Sequence, residues 1–274
     1  MYFMFKSFPH LAKSTLLALL LTLGLLLTAC AGLPIGGSPT PTAVPTSKAV
    51  IPVPTSVATY IPTSIATYIP TNVASAPTNP LSSTNLIVNG NAEAGPGTSD
   101  ESVVEPVPGW TRHGSVDVIQ YAATSGNFVA VTDPGPTDRG KNFFYGGADG
   151  LDNFGDNTTT SLTQTINISA ASVLITTGSV QYTLSGWLGG FSSQDDNAKL
   201  TVQFVGATGQ ALGTASVGPV LAADRNNNDG LVLRTTTGKV PAGTVAINVV
   251  LLFTKVAGGD NDGSADDLSL LLSA

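Results

Sequence analysis

Hydrophobic and polar residues alternate in short runs from about residue 84 to the end of the chain. Leu200, Val202 and Phe204 point one way while Lys199, Thr201 and Gln203 point the other. Val245, Ile247, Val249, Leu251 and Phe253 make a longer stripe of the same period. Val180, Tyr182 and Leu184 form another, and Leu268, Leu270 and Leu272 close the chain. A period of two is the signature of strands with one buried face. Clusters of Gly, Asn, Asp and Pro separate the runs, and no segment keeps a helical period. Many short strands joined by turn chemistry predict an all-β fold, an antiparallel β-sandwich over residues 84–274.

The pattern changes N-terminally. Residues 30–83 are dominated by Pro, Thr, Ser, Ala and Val, and an eight-residue unit starting at Pro54 recurs at Pro62 and decays from Pro70. Regular prolines block helix and strand ladders. The segment therefore reads as a disordered, extended stalk of polyproline II character, with a reach on the order of 150 Å. Residues 1–29 read differently again. Lys6 and Lys13 precede an apolar run, Leu16 to Leu27, that is short for a membrane span.

Cys30, the one cysteine of the chain, follows Leu27, Thr28 and Ala29 directly. This arrangement resembles the lipobox of bacterial lipoproteins. The resemblance implies export, cleavage before Cys30, acylation of Cys30, and display on the outer face of a bacterial membrane through a lipid anchor. Two or more acyl chains hold a protein on a bilayer stably.

Charge and composition narrow the chemistry. The chain carries 11 basic and 18 acidic residues; without Lys6 and Lys13 the balance is about −9. An acidic chain with no basic cluster argues against nucleic acid as a partner. Cys30 once acylated leaves no thiol, and of the two histidines only His113 lies outside the leader. Histidine pairs and His/Cys clusters are excluded. No Gly-x-Ser-x-Gly elbow, His-Glu-x-x-His helix or phosphate-cradling loop is present. Paired carboxylates are the remaining route to catalysis, and a sandwich of this size leaves little room for the cleft they need. The expectation is a binding protein without enzymatic activity.

The two ends of the domain carry the most telling residues. It opens with Asn89, Gly90, Asn91, Ala92 and Glu93 and closes with Asp266, Asp267 and Leu268; Pro108-Gly109-Trp110 and Ser185-Gly186-Trp187 lie between. This layout resembles the galactose-binding-like jelly rolls, and within them carbohydrate-binding modules of families 4 and 22. The resemblance implies a jelly roll whose first and last strands lie side by side, with carboxylates gathered around a structural calcium ion. It departs from the pattern at Ala92, where an aromatic residue is usual. The implied ligands are Glu93 and Asp267, with Asn91, Asp266 and Asp262 behind them. The residues make a case of their own, since Asp260, Asp262, Asp266 and Asp267 crowd carboxylates into what reads as a loop before a buried strand. Calcium takes six to eight hard oxygens in flexible geometry. The run from Asp224 to Gly230 reads as a turn.

The implied partner is a glycan or cell-wall polysaccharide. Sugar sites combine an aromatic ring for the pyranose face with amides or carboxylates for the hydroxyls. Trp187 falls on the opposite strand face from Tyr182 and Leu184, which suits a stacking platform; a bulge at Gly186 would return it to the core. Phe191 lies just beyond. Tyr145 and Arg139 are further ligand-binding candidates, and core packing for Tyr145 and an ion pair for Arg139 are the competing reading. The alternative function is a structural or adhesive surface protein with protein or cell-wall partners, for which a flat face without an aromatic groove would speak.

Overall fold

The computed structural model describes residues 81, 83–123, 128–151 and 153–274. The leader, Cys30 and the repeat of the stalk lie outside the described residues. Ten strands make up almost all of the regular structure: β1 (Thr111–His113), β2 (Asp117–Gln120), β3 (Asn142–Gly147), β4 (Thr159–Asn167), β5 (Gln181–Gly190), β6 (Asn197–Gly206), β7 (Ala211–Val217), β8 (Gly230–Lys239), β9 (Thr244–Thr254) and β10 (Asn261–Ser273). One short helix, α1 (Ser172–Thr176), precedes β5.

The strands form two five-stranded sheets, β1-β4-β9-β6-β7 and β2-β3-β10-β5-β8, and neighbouring strands are antiparallel throughout. This is the expected sandwich of jelly-roll type. The alternating residues do what their period requires. Leu200, Val202 and Phe204 of β6 and Ile247, Val249, Leu251 and Phe253 of β9 face inward, against Leu184 and Leu188 of β5 and Leu268, Leu270 and Leu272 of β10. Each such side chain contributes about 1.5–3 kcal/mol by leaving water. Val245 drops out of its stripe, because the β6–β9 register shifts beside it and Thr244 takes the buried position. Trp110 plugs the core as an edge-on partner of Phe144, and its indole N–H donates to Asn89 O.

Two features at the chain ends position the site. First, residues 85–90 run beside β10 without becoming a strand. Leu86 N–H donates to Leu270 O, Leu268 N–H donates to Gly90 O, and the Asn85 amide exchanges two further bonds with Leu268 and Leu270. Second, the acidic run expected as a loop is the first half of β10 itself. A bulge sits between Asp266 and Ser269, where β10 spends an extra residue against β5 and Asp267 adopts φ +45°. The bulge belongs to β10; β5 pairs with β8 without interruption from Gln181 to Gly190. The phase of β5 therefore holds through Gly186, and Trp187 stays on the outer face.

Candidate functional site

The outer face of the sheet containing β10 is partly covered by a strap, the described residues 121–123 and 128–141 between β2 and β3. The strap crosses the sheet and is tied to its far edge by Leu231 N–H donating to Pro134 O at 2.8 Å. Between strap and sheet lies a second apolar cluster, with Tyr121 and Val129 from the strap and Ile119, Phe143, Tyr145 and Leu231 from the sheet, and Phe128 and Trp187 packed against it. Arg139 holds the strap in shape. Its guanidinium donates to the carbonyls of Ala130, Asp133 and Pro136 and lies 5.0 Å over the Tyr121 ring.

The placements of the expected ligand-binding residues diverge. Tyr145 is 2% exposed, under Phe128, so its ring is not offered to a surface ligand. Arg139 is spent on strap carbonyls, neither an ion-pair member nor free to meet sugar hydroxyls. Phe191 lies past the end of β5, in a turn closed by Gln194 N–H on its carbonyl. Trp187 remains: partly exposed, it sits between Asp266 of β10 and Leu233 of β8, itself 47% exposed.

The carboxylates of β10 divide into two groups. Asp266 is fully buried and accepts from Tyr121 Oη at 2.7 Å, and burial pushes its pKa up to about 8. Asp262 accepts from Tyr145 Oη at 3.1 Å; burial, with the charges of Asp196, Asp260 and Glu101, raises it to about 6 against that bond. Asp262 thus belongs with those acids and not at the chain-end junction. A buried carboxylate is costly unless it is neutralised or hydrogen-bonded, and the two tyrosines supply the bond.

Asp267, in contrast, turns to an open cleft of about 450 Å³, lined among others by Asn85, Asn89, Asn91, Asp138 and Ser269. Burial first, then the charge of Asp138 and a hydrogen-bonding contact with it, raises Asp267 to about 6. Glu93 is within electrostatic reach, but its Oε1 accepts from the backbone N–H groups of Lys141 and Asn142 at 2.8 and 2.7 Å. Asp138 was not among the expected ligands. The available signal was its place just before Arg139-Gly140, where Gly140 turns the chain back at φ +65° against Glu93.

The cleft's donor set is of the kind calcium takes, two contacting carboxylates with amide and carbonyl oxygens around them. Among the described residues no three His, Cys, Asp or Glu side chains converge as a complete set. Backbone oxygens and water would have to complete the shell.

The outer face of the other sheet differs in kind. A depression of about 310 Å³ is lined by Thr111, Thr163, Thr165, Asn248 and Val250, without an aromatic ring. Thr165 Oγ1 donates to Asn248 Oδ1 at 2.9 Å, and the Asn248 amide N–H donates on to Gln203 at 3.5 Å.

No family model matches the chain, and no curated protein does. Among solved structures it is similar to a family 16 carbohydrate-binding module, at 18% identity and a TM-score of 0.39, over 68% of this chain and 99% of that one. It is also similar to the CBM22-1 xylan-binding domain of Xyn10C from Paenibacillus barcinonensis, at 12% identity and 0.33, over 64% and 92%. A third similarity is to the enzymatically active domain of tailspike protein 4 of bacteriophage CBA120, at 14% and 0.39 over 69% of this chain; the chain spans 21% of that protein. Likenesses of this degree say nothing of a ligand, which has to be argued from this chain's own side chains.

Proposed function

We propose that this protein is a lipid-anchored, non-catalytic glycan-binding module displayed on the outer face of a bacterial membrane. The observation that carries the reading is Trp187, a partly exposed indole on an outer sheet face, paired across β8 with exposed Leu233. Ser185 and Ser269 face each other one strand position away, and Ser269 lines the carboxylate and amide cleft. An apolar platform beside hydroxyl, amide and carboxylate groups is what a pyranose requires. The sugar ring would stack on Trp187 and its hydroxyls would reach the cleft.

Calcium belongs to the same reading. Asp138 and Asp267 would hold the ion with Asn91, and Glu93 would steady the junction through Lys141 and Asn142. Asp266 and Asp262 stay out of the shell, since tyrosines occupy them. Anchoring rests on Cys30 and its flanks.

Calorimetric titration of the full chain with soluble xylans, glucans and mannans tests the binding. The expectation is binding to at least one, weakened about tenfold or more by Trp187→Ala. Titration curves without heat for every polysaccharide would reject the glycan partner.

A second reading, adhesion to a protein or wall partner, is favoured by the aromatic-free hydroxyl and amide face around Asn248. Binding lost in Asn248→Ala and kept in Trp187→Ala would select it.

A further inference from the structure

At the end of the sandwich where β4 begins and β9 finishes, an amine and a carboxamide meet. Thr159 pairs with Thr254, so Asn157 and Lys255 flank paired strand ends, and Lys255 N–H donates to Thr158 O at 2.9 Å. Lys255 Nζ lies 2.5 Å from Asn157 Oδ1 and 2.9 Å from Gly259 O. Asn157 is 3% exposed and locked in place. Its amide N–H groups donate to Gly259 O at 3.0 Å and Gly147 O at 3.4 Å, and its own carbonyl accepts from Asn261 at 2.9 Å. The one ion pair among the described residues is Arg234 with Asp224, so the Lys255 amine faces neutral oxygens within 4 Å. The Lys255 amine donates to the Asn157 carboxamide oxygen, and groups held in contact meet without the cost of an encounter.

We propose that Lys255 and Asn157 are joined by an intramolecular amide bond. Nζ attacks the Asn157 side-chain carbonyl carbon; the new Nζ–Cγ bond forms, the Cγ–Nδ2 bond breaks, and the departing nitrogen leaves as ammonia. The charged amine and the neutral carboxamide thus become a neutral amide and an ammonium ion, with no oxidant or co-reactant. The ammonium must give up a proton before Nζ attacks, and the leaving nitrogen takes one up; solvent water at the partly exposed Lys255 carries it. The bond would close a loop between positions 98 residues apart. That is the service a disulfide gives other exported proteins, and here Cys30 is the chain's one cysteine.

The test is the mass of the purified full chain, measured denatured so that folding plays no part. The expected result is a mass one ammonia below that calculated for the processed chain, and a branched proteolytic peptide containing both residues 157 and 255. Lys255→Arg keeps a cation but cannot form the link. It should show the full mass and melt lower by roughly 10 °C. A wild-type chain of unreduced mass after long incubation at neutral and mildly alkaline pH would overturn the proposal. So would the same ammonia loss in Lys255→Arg, which would place it elsewhere, as at Asn89-Gly90.

Discussion

The two outer faces of the sandwich have the same number of strands beneath them and very different contents. One is bare, and its side chains are those that water tolerates on a sheet: Thr163, Thr165, Thr201, Gln203 and Asn248. The other carries Phe143, Tyr145 and Trp187 among the aspartates of β10, and would be unstable in water without the strap. The strap brings Tyr121, Phe128 and Arg139 over the face, and Tyr121 and Tyr145 give the aspartates their donors. A face can therefore hold buried carboxylates when a neighbouring segment supplies both apolar cover and hydroxyl groups. The remainder of that face holds the partly exposed Trp187 and the Asp267 cleft.

Substitutions should break this contrast in graded fashion. Phe143→Ala, beneath the strap, should cost about 3–5 kcal/mol in urea unfolding, because a large buried ring is removed and its cavity remains. Thr201→Ala on the bare face should stay within about 0.5 kcal/mol. Equal costs at the two sites would dissolve the distinction. Tyr121→Phe should cost about 1–3 kcal/mol by leaving Asp266 Oδ2 without its donor, while Oδ1 keeps the Asp267 N–H, and more at pH 8 than at pH 5, where Asp266 keeps its proton.

The pH profile sharpens the comparison further. Asp117, Asp262, Asp266 and Asp267 all have folded pKa values raised above the ordinary 3.8, to about 7, 6, 8 and 6, with burial as the leading cause in each. In the window between the unfolded and folded values the folded chain keeps protons that the unfolded chain has released. Stability is then greatest near pH 4 and falls as pH rises through 6 to 8. The melting temperature in chelator should drop across that interval; a rise would contradict the burial of these groups. Calcium at pH 8 should recover part of the loss by linkage, and Asp138→Asn should diminish that recovery. Identical melting curves in calcium and in chelator would remove the ion from the junction. The smallest effect is expected for Asn248→Ala, with stability nearly unchanged and glycan titration the same as for the unaltered chain.

Much of the bare sheet was legible in the sequence, because β6 and β9 alternate cleanly between core and solvent. The closing leucines of β10 were legible for the same reason; for Trp187 alternation pointed outward, but a bulge at Gly186 could have turned it into the core, and only the unbroken β5–β8 pairing decides the phase. The first half of β10 was not. Asp260 to Asp267 looks like a solvated loop, since nothing local says that Tyr121 and Tyr145, more than 100 residues away in sequence, will donate to Asp266 and Asp262. Tyr145 and Arg139 misled for a related reason: their environment is made by the strap, whose path depends on contacts as distant as Pro134 with Leu231. Asp138 was passed over because its partner Asp267 is brought to it by a bulge, whose phase shift from inward Ala265 to inward Leu268 is hidden among aspartates.

The seam between residues 85–90 and β10 has a mechanical meaning. A pull along residues 85–90 enters the domain there. The bonds of Leu86, Gly90 and Asn85 to Leu268 and Leu270 run across the direction of such a pull. They are strained together, in shear, and do not open one after another like a zipper. The partner they grip is a central strand, flanked by β3 and β5, so such a load is spread at once into the middle of a sheet. A domain stitched in this way would hold its shape under tension along that segment.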